Sequence, residues 1–360
     1  MIPADVGAEI ARLLQAAVAA GGVPGDVGEL SPAGTWRRAP AQAGGGPGIY
    51  ATSLPLQISG LAGRAAGPVA AGLAADLSAL AWIRSARVTG DGYLTVSVTA
   101  GHLAALPGRI VATGQAAARS SALARVRTTA PLLPDLGTAP GWERAWRIQR
   151  DALVGRLAEA AGAAVMFAQS QRNASSDSGA QRTVISVPAA VARYGADAVR
   201  YALAGTSAPR PGGIIRQLEL PLDLANPFVL VRYAHADAAS TLWWAADLGV
   251  APSEQPASST GDELLPPELA LIDAMSWLPE RVAAAARSSR PAELAACLEH
   301  IAGSWLDCAE RCPALPFRGS AAPSDPQGLQ AAARLGLANA TRVMLKAGLA
   351  LLGLAAPARM

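Results

Sequence analysis

Residue types that do chemistry are sparse in this sequence, so their spacing carries most of the information. Cys297 and His300, with Cys308 and Cys312, make one four-ligand set that zinc would take. Both pairs fall on helical pattern, so the spacing fits zinc only loosely. Buried cysteines on helix faces are the preferred reading, and no metal or cofactor is expected. The histidines are His102, His235 and His300. His235 sits on an apolar helix and reads as a packed, hydrogen-bonded ring. Trp243-Trp244 is a pair that can stack a nucleic-acid base. More often one such ring enters the core and the other stays at the surface. Arg334, Arg342 and Lys346 recur at multiples of four and share a helix face. That face is either solvated surface or a stripe that touches a polyanion backbone. Gly44-Gly45-Gly46-Pro47-Gly48 lacks the Lys-Ser/Thr of a phosphate-cradling loop. No paired carboxylates or nucleophile elbow stands out.

These residues must be positioned by helices. Apolar content is 51%, much of it alanine, which with leucine and arginine favours helix. Residues 4–20 read as an amphipathic helix with Ile10, Leu13, Leu14, Ala17 and Val18 on one side. Residues 31–48 read as an exposed loop, and a helix is expected over 68–81 from Pro68. A hairpin is signalled by Arg84–Val88 and Tyr93–Val98 around Gly90-Asp91-Gly92, with Leu94, Val96 and Val98 on the inner face. This small α+β domain ends near residue 108. Trp142–Ala164 has helical pattern, and the polar run 169–181 reads as a loop. Tyr194-Gly195 turns into another helix. A Pro/Gly-rich connection spans Pro209–Gly213, and Asn226-Pro227 starts a long apolar helix.

Charge is uneven. Residues 1–110 carry a net +1, residues 111–210 a net +6 and residues 211–360 a net −4. A polyanion would be drawn to the middle of the chain. The arginines there (119, 125, 127, 144, 147, 150 and 156) read by default as a solvated helix face, with a phosphate-contacting strip as the alternative. The longest apolar run, near 335–356, is broken by Arg342 and Lys346, so no membrane contact is expected. Asp5 and Glu9 precede any basic residue, which argues against a signal peptide, and three cysteines fit the cytoplasm.

The run Gly48-Ile49-Tyr50-Ala51-Thr52-Ser53-Leu54-Pro55-Leu56-Gln57, followed by a helix and the hairpin, resembles the N-terminal additional domain of arginyl-tRNA synthetases. Ser53 stands where asparagine is usual. Asp197-Ala198-Val199-Arg200 resembles that family's Asp-Ala-Leu-Arg signature. Asn226-Pro227-Phe228 and Tyr233-Ala234-His235-Ala236 resemble the opening of its helical anticodon-binding domain, with Asp237 where arginine is usual. Leu278-Pro279-Glu280-Arg281-Val282-Ala283, Cys312-Pro313-Ala314-Leu315 and the closing run Ala340–Met360 are similar to the family's segments in the same order.

The resemblance implies a mainly α protein with a small α+β N-terminal domain and a C-terminal helical bundle of the class I synthetase anticodon-binding type. The expected division is 1–108, a basic connecting segment 109–208 with a remnant of the catalytic domain, and a DALR-type bundle 209–360. The family's His-x-Gly-His motif and its mobile lysine loop are not found, and about 70 residues stand where a doubly wound sheet is needed. The leading expectation is a non-catalytic tRNA-binding relative. Its contacts would be Tyr50, Ser53 and Gln57 at the tRNA elbow, and Tyr233, His235, Trp244, Arg342 and Lys346 at the anticodon. Two alternatives stay open: an active arginine-tRNA ligase, and a module that has lost RNA and binds a protein partner.

Overall fold

The structure, a computed structural model, describes residues 2–20, 30, 35–39, 45–139, 141–168, 185–208, 210–253, 264–315 and 326–360. The chain is mainly α-helical, with a small α+β unit at the N-terminus.

Helix α1 spans Ile2–Ala19 and buries Ile2, Val6, Ile10 and Leu14, each one turn from the next. Strands β1 (Trp36–Arg38) and β2 (Ile49–Thr52), helices α2 (Leu54–Ala62) and α3 (Ala66–Ser78), and strands β3 (Ile83–Thr89) and β4 (Tyr93–Val98) follow. The antiparallel sheet has the order β1-β2-β4-β3. The β3–β4 turn uses Gly90 and Gly92 at φ values of +58° and +114°, a region that favours glycine. Leu94, Val96 and Val98 are buried as expected. Thr95 is buried too, because β4 is a central strand and the Thr95 hydroxyl pairs with that of Thr89 at 2.9 Å. Trp36–Arg38, expected as loop, is an edge strand: it pairs with Tyr50, Ala51 and Thr52. Local propensity cannot reveal a three-residue strand whose partner supplies the ladder.

Short helices α4 (Ala100–Ala104) and α5 (Leu106–Thr113) lead to β5 (Arg127–Pro131), α6 (Trp142–Ala160) and β6 (Ala164–Ala168). Strands β5 and β6 are parallel, and α6 is the crossover that a parallel pair requires. The expected helix to Ala164 ends four residues early, where Gly162 at φ +97° turns the chain into β6. Gly155 lets α6 approach β5: a Cβ there would sit 2.1 Å from the Ala130 Cβ. Thus the basic middle segment holds one β-α-β unit. The run 169–181 and residues 182–184 lie outside the described residues.

Helices α7 (Val187–Tyr194), α8 (Ala196–Gly205) and α9 (Pro211–Leu218) form a second core with the start of α6. The segment expected as a Pro/Gly connection becomes helix at Pro211, and Gly212 and Gly213 lie inside α9. Helices α10 (Pro227–Asp247), α11 (Pro266–Ser276), α12 (Leu278–Ser288), α13 (Ala292–Arg311) and α14 (Pro326–Leu351) make the C-terminal bundle. Helix α10 packs on α13 and α14, and α11 on α13. Asn226 caps α10 by accepting the Phe228 N–H at 3.1 Å, with Pro227 at its first position.

Helix α8 is the joint between these parts. The Arg200 guanidinium donates to Gln149 Oε1 at 3.1 Å and to the Pro134 carbonyl at 2.7 Å, tying α8 to the β-α-β unit. The Tyr201 hydroxyl donates to Glu299 Oε1 at 2.8 Å, tying the same helix to α13. The indoles of Trp142 and Trp146 donate to the carbonyls of Ile185 and Thr206.

Candidate nucleic-acid interface

One exposed aromatic and basic surface runs along α10, α14 and the C-terminal tail. On α10, Tyr233, Trp243 and Trp244 are 40%, 48% and 54% exposed. Tyr233 and Trp244 are eleven residues apart, about three helical turns, so they share a face. The two tryptophan rings are tilted at 52° with centroids 5.1 Å apart, and neither is buried, against the expectation of one core ring. The tail brings Arg359 over the Trp243 ring at 4.5 Å. On α14, Lys346 is exposed, while Arg342 donates to Asn339 Oδ1 at 2.8 Å.

His235 holds this surface together from beneath. It is 3% exposed, and its Nδ1 bonds the Pro357 carbonyl at 2.7 Å, which fastens the tail to α10. Burial lowers its pKa most; the Pro357 carbonyl opposes this, and Arg342 and Lys346 add to it. A neutral, buried ring has no face to offer a base. His235 is thus a packed, hydrogen-bonded ring, as its place on an apolar helix suggests, and it holds the tail rather than facing solvent. Asp237, where the family has arginine, accepts the Trp305 indole N–H at 2.9 Å and so pins α10 to α13.

At the N-terminal end, Tyr50 is also internal. It is 0% exposed, its ring is tilted on Trp277 at 5.2 Å, and its hydroxyl pairs with Ser276 at 3.1 Å. Burial pushes its pKa well above the ordinary tyrosine range. Tyr50 is a wedge between sheet and bundle, not a solvent-facing contact. Gln57 is exposed on α2, and Ser53 is half-buried at its N-cap without a capping side-chain bond. The structure thus brings Tyr233, Trp244, Arg342 and Lys346 to the C-terminal helices and leaves Ser53 and Gln57 on the separate α2 surface. Arg359 was missed, since nothing in a terminal Pro-Ala-Arg-Met indicates where it folds back.

Two other expectations resolve differently. Arg334 does not share solvent with Arg342 and Lys346: its Nε donates to the buried Glu268 at 2.8 Å and its Nη1 to the Pro313 carbonyl. Arg156 reaches the carbonyls of Ala350 and Leu351, where it caps α14. The three cysteines are buried, and burial pushes the Cys297 thiol up to about 12.

The bundle is closed by the tail, with aromatic rings and cations exposed on one side. Residues 231–360 match the DALR anticodon binding domain. Over 175 residues the chain is 37% identical to the arginine--tRNA ligase of Frankia alni, an alignment that covers 46% of this chain and 29% of that protein. The chain therefore spans about 29% of the length of that curated relative. Two solved structures are similar at low overlap. The putative arginyl t-RNA synthetase of Campylobacter jejuni gives a TM-score of 0.37 at 15% identity, over 60% of this chain and 44% of that one. The arginyl-tRNA synthetase of Thermus thermophilus gives 0.36 at 22%, over 65% and 41%. The C-terminal part of the chain is thus similar to the DALR anticodon binding domain, and about half of the chain is similar to an arginine--tRNA ligase.

Proposed function

We propose that this chain binds tRNA without charging it, gripping the anticodon arm with the α10–α14 surface. One observation carries the proposal: the residues that match an anticodon binding domain also expose Tyr233, Trp243, Trp244 and Lys346 together with Arg359. Unstacked loop bases are read by aromatic stacking and edge hydrogen bonds, and the backbone by cations. Ser53 and Gln57 would touch the elbow from α2. The division 1–108, 109–208 and 209–360, and a cytoplasmic setting, belong to the same proposal. The non-catalytic half rests on the histidines, no two of which are spaced as His-x-Gly-His, and on a parallel sheet of two strands among the described residues.

Purified protein is titrated with a total tRNA pool at several salt concentrations, and the bound species are sequenced. Binding that weakens steeply with salt is the expected result. No binding at low salt sinks the proposal. A charging assay with arginine, ATP and tRNA separates the two halves, because turnover would refute only the non-catalytic one. A second reading, a protein-binding module that has lost RNA, is favoured by the net −4 of residues 211–360. It predicts no tRNA binding and a stable protein partner on purification.

A further inference from the structure

A cavity of about 850 Å3 lies between the edge strand β1 and helices α12 and α13, away from the surface on α10 and the tail. Its lining includes Arg37 and Arg38 from β1 and Arg281 and Arg287 from α12, with Trp36 and Trp277 among the walls. Arg37, Arg38 and Arg287 are exposed, and Arg281 is half-buried over the Trp277 ring at 5.1 Å.

The charges are layered. Asp273 and Glu280 are 2% and 3% exposed and sit at the seam below. Asp273 holds Arg38 at 2.9 Å and the Gly48 N–H at 3.1 Å, while Glu280 accepts the Trp36 backbone N–H at 3.2 Å. Arg38 also donates to His300 Nε2 at 3.0 Å, so that ring is a neutral acceptor. Among the described residues Glu293 is the one carboxylate in the lining, and it already accepts the Ser288 hydroxyl at 3.0 Å. A ligand entering the mouth therefore meets guanidinium groups first.

A second observation points the same way. The Trp36 side chain is 2% exposed, yet its indole N–H has no partner among the described residues. A buried donor left unmatched is costly, and an acceptor held in the cavity that Trp36 lines would remove the cost. Guanidinium forks match the paired oxygens of a phosphate, and several converging from two elements make a multivalent clamp.

We propose that this cleft is a phosphate-binding site, in which Arg37, Arg38, Arg281 and Arg287 clamp a phosphate across the seam between the N-terminal sheet and the bundle. The phosphate is that of an RNA backbone, a part that rests on the tRNA-binding reading. Free phosphate is the alternative source of the same chemistry. Because the clamp draws arginines from both β1 and α12, its occupation would also tighten the two units against each other.

The test uses the full chain with Arg281→Gln/Arg287→Gln, its charge-retaining counterpart Arg281→Lys/Arg287→Lys, and Arg37→Gln on the exposed edge strand, should the double variant fail to fold. Each is titrated by calorimetry with total tRNA over a salt series, and separately with inorganic phosphate. The expected result is tRNA binding about 10- to 100-fold weaker in the double glutamine variant. Its salt slope should fall by about two, while the lysine variant keeps the slope. Arg37→Gln should lower the slope by about one. Equal tRNA affinity and slope in wild type and both glutamine variants would overturn the cleft site and leave tRNA binding on the bundle standing. No tRNA binding by the wild type, with phosphate binding lost in the glutamine variants, would overturn the tRNA reading and support the cleft. Binding of neither probe by the wild type would overturn both.

Discussion

The seam between the N-terminal sheet and the bundle, and the surface along α10 and the tail, are built from the same residue types and used in opposite ways. Each has an aromatic pair, arginines and a histidine. At the seam, Tyr50 and Trp277 are 0% and 2% exposed, and Asp273, Ser276 and Glu280 supply buried acceptors for groups of the sheet. Along α10, Trp243 and Trp244 are about half exposed, and Arg359 lies on the Trp243 ring. The difference teaches that an aromatic residue here is structural when a carboxylate or hydroxyl from another unit waits beneath it. It stays exposed where no such group covers it, as at Trp243 and Trp244. Buried polar pairs lose far more when one partner is removed than exposed pairs do.

The comparison breaks most clearly at Tyr50. Tyr50→Ala removes a fully buried ring and leaves Ser276 and Trp277 facing a void, so stability should fall by about 3–5 kcal/mol. Urea denaturation measures it. A loss under about 1 kcal/mol would mean the seam is not a packed interface. Next in size is Trp244→Ala, which should leave the urea midpoint almost unchanged and weaken tRNA binding by about 1–3 kcal/mol. Equal binding by this variant would remove Trp244 from the proposed interface.

The smallest effect is a pH dependence that sharpens the role of His235. Its folded pKa lies below the ordinary 6.5, chiefly through burial. The unfolded chain therefore takes up the proton first as pH falls. The contribution is fully present above the unfolded value and is lost as pH drops through the folded one, at no more than about 1.4 kcal/mol per pH unit. His300 is lowered in the same way, so His235→Gln should flatten the slope between about pH 7 and about pH 5 without abolishing it. Asp237, Asp273 and Glu299 are raised by burial and act in the opposite sense in the carboxylate range, which makes the paired comparison necessary. An identical slope in the variant would place His235 outside the tail's anchorage.

Parts of the bundle and of the N-terminal sheet were legible because their signals are local. Asn226-Pro227 announces α10, and the Leu94, Val96 and Val98 alternation announces β4. The β-α-β unit was not legible. Arg127–Pro131 and Ala164–Ala168 are short, one ends in proline, and neither alternates cleanly in the sequence. Their pairing is decided across the 19-residue helix α6, which a local pattern cannot report. Of the candidate site, the exposed members Trp244 and Lys346 could be placed by helical phase. The exposed Arg359 could not, since its position depends on a tail held by the Pro357 carbonyl to His235.

By itself the sequence indicated several helix starts, Asn226-Pro227 among them, which faces are apolar, and an order of segments that resembles arginyl-tRNA synthetases. These depend on neighbours within one or two turns. Tertiary structure decided which polar and aromatic residues are spent on holding the molecule together. Tyr50 and Ser276 lie 226 residues apart, and Trp36 and Glu280 lie 244 apart. Burial is set by what packs against a residue from elsewhere in the chain, so the same tyrosine or arginine is anchor or contact according to partners that no local pattern names.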